Sequence, residues 1–126
     1  MIKKKSKHDV TTTLNRLENV LKEKGIGIVA RVDHAAAAEN VDMELRPTQV
    51  LFFGNPKLGT PLMQSNQLAG LELPMRVLAW EDEDGQSWLA YHSPQQIGDD
   101  LRIADNTEAI DMLNSAIKKL TDAAVK

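Results

Sequence analysis

The chain has 126 residues, 42% of them hydrophobic and 26% charged, with 15 basic against 18 acidic side chains and a net charge of -3. That is one domain of ordinary globular composition, able to bury roughly 65% of its unfolded surface in a single core. It excludes a disordered chain, an apolar run of the ~20 residues a membrane span needs, and an overall electrostatic case for nucleic acid. The absence of cysteine excludes disulfides, thiolate chemistry and cysteine-based metal sites.

Met1 to Lys7 is basic, but no apolar segment follows it, so residues 1–8 read as a solvated basic arm and residues 9–126 as a single domain. A cytoplasmic protein is expected, or an exported one if a natural leader preceded this sequence. Val10, Leu14, Leu17 and Leu21 step by four, three and four, which predicts a helix with Asp9 as N-cap and Gly25 as its stop. The period then changes to two. Ile26, Ile28, Ala30 and Val32 alternate as a strand. His34 to Met43 is alanine-rich and predicts a short helix, with Asp33 as a possible cap.

Val50-Leu51-Phe52-Phe53 is apolar on both faces, as in a central strand. Gly54-Asn55-Pro56 ends it, and Thr60-Pro61 predicts a helix start with Thr60 as N-cap. Leu73 to Asp82 and Ser87 to His92 form a hairpin about Asp84-Gly85, with Trp80 and Trp88 placed to meet across it. Ser93-Pro94 opens a helical stretch or turn. Ile110, Leu113, Ile117, Leu120 and Ala124 mark the last helix, with Asp105 as N-cap and Glu108 at capping-box spacing.

The predicted fold is a two-layer α+β domain. It has one mixed, mostly antiparallel sheet with packed helices, in the order α-β-α-β-α-β-β-α. Ile28, Val32, Val50, Phe52, Val77 and Trp88 are assigned to one sheet face. Val29, Leu51, Phe53, Leu78, Trp80, Leu89 and Tyr91 are assigned to the other. Two long helices cannot cover both faces, and uncovered apolar sheet marks a partner surface, so a homodimer is expected.

Two segments carry candidate site residues. Gly54 to Thr60 superficially resembles a phosphate loop, but no lysine follows Gly59 and Pro56 removes a backbone donor, which excludes nucleotide hydrolysis. A helix N-terminus beside Lys57 still suits an anion. Asp33-His34 ends a strand, where His34 is a candidate acid–base group. If that strand runs parallel to the one ending at Phe53, His34 and Asn55 emerge at one edge and form a composite site. The ligand-binding candidates are therefore Asp33, His34, Asn55, Lys57, Gly59 and Thr60. The 3 histidines, even with Met63 and Met75, lack a metal-binding spacing, and neither a metal nor a cofactor is expected. The acidic run Glu81 to Asp84 reads as a solvated turn, since it does not match a calcium loop.

Arg31-Val32-Asp33-His34-Ala35, Leu45-Arg46-Pro47-Thr48, Phe53-Gly54-Asn55-Pro56, Gly59-Thr60-Pro61-Leu62-Met63 and Leu73-Pro74 occur in this order. Together they resemble the domain-of-unknown-function family 302, from Val10 to the last helix. The resemblance implies a compact, often homodimeric α+β domain of bacteria and archaea, some of whose members carry export signals. It implies no established activity, substrate or cofactor. The leading expectation is a non-enzymatic binding or accessory module, dimeric, for a small anionic or polar ligand, without nucleic-acid or membrane partners. The alternatives are an enzyme using His34 and a purely structural dimerisation protein.

Overall fold

The computed structural model describes residues 1–105 and 107–126. In chain order the elements are β1 (Ile2–Lys5), α1 (Val10–Glu23), β2 (Gly27–Asp33), α2 (His34–Glu39), β3 (Thr48–Gly54) and α3 (Pro56–Ser65), then a 3-10 turn (Gln67–Leu71), β4 (Met75–Glu81), β5 (Ser87–Tyr91), α4 (Pro94–Asp100) and α5 (Thr107–Val125). The strands form one five-stranded sheet in the order β1-β5-β4-β3-β2. Every neighbouring pair is antiparallel. The α+β class and the element order agree with the sequence reading. The additions are β1 at the start and the definition of Ser93-Pro94 as the cap and first residue of α4.

The core is set by the leucine stripe of α1. Leu14, Leu17 and Leu21 are fully buried against Leu51, Val77 and Leu89 of the sheet and Ile117, Leu120 and Ala124 of α5. Each such side chain contributes roughly 1.5–3 kcal/mol by leaving water. Asp9 caps α1 by accepting the Thr12 N–H at 2.7 Å. Gly25, at φ 68°, takes the left-handed conformation that ends the helix. A second cluster joins Leu62 of α3, Ile103, and Ile110 and Leu113 of α5. The expected cap at Asp105 adjoins residue 106, which lies outside the described residues, and that contact is not described.

Three expectations are corrected. Residues 1–8 do not form a free arm, because Ile2–Lys5 pairs with β5 as an edge strand. Alternation explains it. Lys3 and Lys5 face away from the helices, whereas Lys4 crosses to α5 and donates to Asp122 Oδ1 at 2.6 Å, Thr121 Oγ1 at 2.7 Å and the Lys118 carbonyl at 3.1 Å. Exposed lysines on such an edge also discourage pairing with further strands.

Second, β2 and β3 are antiparallel, not parallel. The six residues of α2 rise only ~9 Å. The seven residues of β2 span roughly 23 Å. So short a helix cannot carry the chain back along the strand, and β3 starts where β2 ends.

Third, the two sheet faces are composed differently. A bulge between Ile28 and Ala30 puts Val29 out of alternation and parts Ile28 from Val32, while the β3–β4 register sets Val77 opposite Leu51 and Leu78 opposite Val50. Ile28, Leu51, Phe53, Val77, Leu89 and Tyr91 face the helices, whereas Val32, Val50, Phe52, Leu78, Trp80, Trp88 and Ala90 share the opposite face. Trp80 and Trp88 stack there with ring centroids 6.1 Å apart, as expected. Among the described residues, α1 and α5 pack on the first of these faces, against Leu51, Val77 and Leu89.

The hydrogen bond from Lys4, with a second cation at Lys118, holds the Asp122 carboxyl below the usual carboxylate range. A lowered folded-state pKa contributes stability that is present at neutral pH and is lost as pH falls through the carboxylate range. Asp122→Asn should therefore lose less stability than the parent between pH 7 and about pH 3. Urea unfolding midpoints at the two pH values check this; equal losses in both proteins would contradict it.

Candidate functional site

The segment following β3 adopts one continuous helix. Asn55 is its N-cap and Pro56 its first residue. The Asn55 side-chain oxygen accepts the Lys57 N–H at 3.0 Å. The Asn55 carbonyl accepts the N–H groups of Leu58 and Gly59 at 2.9 and 3.0 Å. Thr60 is thus inside α3, exposed, and not its cap. Asn55-Pro56 offers the same cap-and-proline signal as Thr60-Pro61, five residues earlier and directly at the strand end. Pro61 is tolerated inside α3 at the loss of the bond its N–H would give to the Lys57 carbonyl.

This arrangement removes the donors that an anion at the helix N-terminus requires. Pro56 has no N–H, and the next three N–H groups are already bonded to Asn55. Nor do the two candidate segments meet. The β2–β3 register pairs Asp33 with Gln49 and Gly27 with Gly54. His34 and Asn55 therefore lie at opposite ends of the strand pair, roughly 20 Å apart at strand rise. Asp33 accepts the Ala36 N–H at 2.9 Å and caps α2, while His34 is an exposed first helical residue. The structure brings Asn55, Gly59 and Thr60 together, with Lys57 beside them, and leaves Asp33 and His34 elsewhere.

A cavity of about 360 Å³ opens where Asn55, Gly59 and Thr60 meet the helix layer. Its floor is Phe53 and Met75 of the sheet. Leu113, Ala116, Ile117 and Leu120 of α5 form one wall, and Leu58 and Met63 of α3 another. Ile26, Val29, Gly54, Pro56, Leu73 and Pro74 complete the lining. Gly59 packs closely there, since a Cβ would stand 3.3 Å from Leu73 Cδ1 and oblige that side chain to shift slightly. No described lining residue is ionisable. The polar side chains are the Asn55 amide and the Thr60 hydroxyl, and the Asn55 NH2 group donates to no described residue.

Sequence reasoning located one wall of this cavity but not the cavity. Ile26, Leu73 and Ala116 are far apart in the chain, and only the packed fold makes them neighbours. The available signal was the surplus of apolar residues beside the glycines of the loop. Elsewhere, the acidic hairpin behaves as a structured turn. Asp82 accepts from Trp88 Nε1 and from the N–H groups of Asp84 and Gln86, each at 2.8 to 2.9 Å. The Trp88 bond leads in lowering the Asp82 carboxyl pKa.

A family model described as domain of unknown function DUF302 matches residues 2–124. A crystal structure of an uncharacterized conserved DUF302 protein from Bacillus stearothermophilus shares the fold, with TM-score 0.78 over 98% of this chain and 94% of that one, at 18% identity. Proteins named fluoride-specific ion channel FluC 1, from Brucella suis biovar 1 and Brucella abortus biovar 1, are each 44% identical over 89 residues. The match covers 71% of this chain but only 35% and 33% of those proteins. The chain thus spans about a third of the length of these curated relatives. Among the described residues, no helix is long and apolar enough to cross a membrane.

The cap assignment is testable by urea denaturation. Asn55→Ala should cost ~0.5–2 kcal/mol, the usual loss of an N-cap. Thr60→Ala, exposed and inside the helix, should stay within about 0.5 kcal/mol of the parent. The reverse ranking would restore Thr60 as the cap.

Proposed function

The chain belongs to the family described as domain of unknown function DUF302, and from that membership and the cavity we propose that it is a non-catalytic binding module for a small, largely apolar molecule. The observation carrying this reading is the cavity itself. At about 360 Å³ it lies within the ~300–1,000 Å³ range of ligand sites, and it has their usual make-up of apolar walls with few polar groups. Proton-transfer chemistry is not favoured. The cavity holds no described acid or base, and His34 is exposed with its neighbouring carboxylate committed to a cap.

An accessory role agrees with the relatives. A stretch resembling this chain makes up about a third of proteins named as fluoride channels. A small module that binds a ligand or assembles copies suits such company better than an independent enzyme does.

We further propose that the face carrying Val32, Val50, Phe52, Leu78, Trp80 and Trp88 seats a second copy of the chain. Five strands at their usual spacing and length present a surface on the order of 500 Å² before side-chain relief, comparable to one partner's share of a small specific interface. Charged Lys3, Lys5 and Arg76 lie at its margins in the strand register, as in interfaces with an apolar centre and a polar rim.

Two measurements test these readings. Decanol should raise the unfolding midpoint of the parent protein, because a ligand that binds only the folded state stabilises it. Ala116→Phe, which fills the cavity, should abolish the shift while retaining the parent's circular dichroism. A shift surviving in Ala116→Phe would place binding elsewhere. Sedimentation equilibrium at micromolar concentration should give twice the 14.0 kDa chain mass, and Leu78→Lys should return it to monomer. A parent protein at monomer mass would overturn the dimer.

A further inference from the structure

Resting on the reading of the cavity as a ligand site, we infer that its ligand is an amphipathic anion, an apolar body ending in a carboxylate or comparable acidic head. The interior sets the first half of this. A cavity of about 150 Å³ lined by apolar side chains accommodates benzene. The volume here, about 360 Å³, thus has room for roughly twice as many carbon atoms. An ionised head cannot follow the body inside, since burying an unpaired charge among Phe53, Met75 and Leu120 carries a large desolvation cost. The head must remain at the mouth.

Residues that flank the lining along the chain supply the sign. Lys57 lies between two lining residues, Pro56 and Leu58. Lys119 stands one helical turn along α5 from lining Ala116, and Lys24 two residues before lining Ile26. All three lysines are exposed, and among the described residues none forms an ion pair. The nearby acids do not cancel them. Glu72, beside Leu73, is held by Arg76 at 3.6 Å. Glu23 is two residues from buried Leu21, which turns it to the other side of α1. The Asn55 NH2 group, unused by the cap, adds a neutral donor at the same rim. The charge comes from the surrounding side chains, not from the N-terminus of α3, whose first N–H groups are occupied.

The test uses three ten-carbon probes below their micellar concentrations: decanoate, decylammonium and decanol, each titrated calorimetrically into the parent protein and into Lys24→Ala/Lys57→Ala/Lys119→Ala. The expected result is decanoate binding about tenfold more tightly than decylammonium, a moderate figure because exposed charges interact weakly. The preference should shrink at 1 M salt, where screening falls to ~3 Å, and vanish in the triple variant while decanol affinity is retained. Decylammonium binding as well as or better than decanoate overturns the inference and leaves the apolar cavity reading intact. So does a preference that persists in the triple variant. If none of the three probes binds the parent protein, the cavity reading falls with it.

Discussion

Everything in this fold depends on one helix stripe meeting one sheet face. Leu14, Leu17 and Leu21 leave no accessible surface, and they contact the sheet and α5 at once. Because a helix offers a single apolar stripe of limited width, α1 and α5 together roof one face of the five-stranded sheet and no more. The opposite face keeps Val32 39% exposed and its two tryptophans only partly covered. The two-layer architecture and the open apolar face are the same fact seen from two sides.

The cavity follows from where that roof ends. α1 stops at Glu23, and Gly25 turns the chain into β2. β3 continues to Gly54 and then gives way to α3. Between the end of α1 and the start of α3, α5 bridges from the main core cluster to the one it shares with α3. Leu113 and Ala116 then border the cavity across from Leu58 and Met63 of α3. The bulge on the edge strand leaves Val29, a lining residue, 65% exposed at this opening. Protein interiors normally fill such gaps to crystal-like density, so an unfilled apolar volume bordered by two glycines and two prolines is a built feature of the lining.

Legibility in the sequence tracked the range of the interactions concerned. Local signals read correctly. The Val10 to Leu21 stripe, Gly25 as a stop, Asp33 as a cap and the Trp80–Trp88 pair all depend on residues within a few positions of one another. Where two local signals competed, sequence alone could not rank them. Asn55-Pro56 and Thr60-Pro61 are chemically equivalent helix starts, and the tertiary end of β3 selected the first. Long-range features were invisible. β1 reads as a run of lysines because its partner is at Ile2↔Tyr91, and its one inward lysine is satisfied by Asp122, far along the chain. The strand direction of β3 hinged on the true length of α2, which alanine content overestimated.

The two proposed surfaces are not independent, because they are the two faces of one strand. Phe53 forms the floor of the cavity, while Phe52, the next residue back, points to the open face, where it sits opposite Arg76. Met75 and Arg76 repeat that alternation on β4. A strand is one peptide thick, so a ligand that moves the backbone at Phe53, and not its ring alone, also moves Phe52. Coupling requires only that the ligand distinguish the assembled from the separate chain, since a ligand with equal affinity for both states shifts neither. The alternation of Phe52 and Phe53 supplies the shortest physical route for such a difference. It makes the β3–β4 ladder the element through which occupancy of the cavity and association of the open face would be linked.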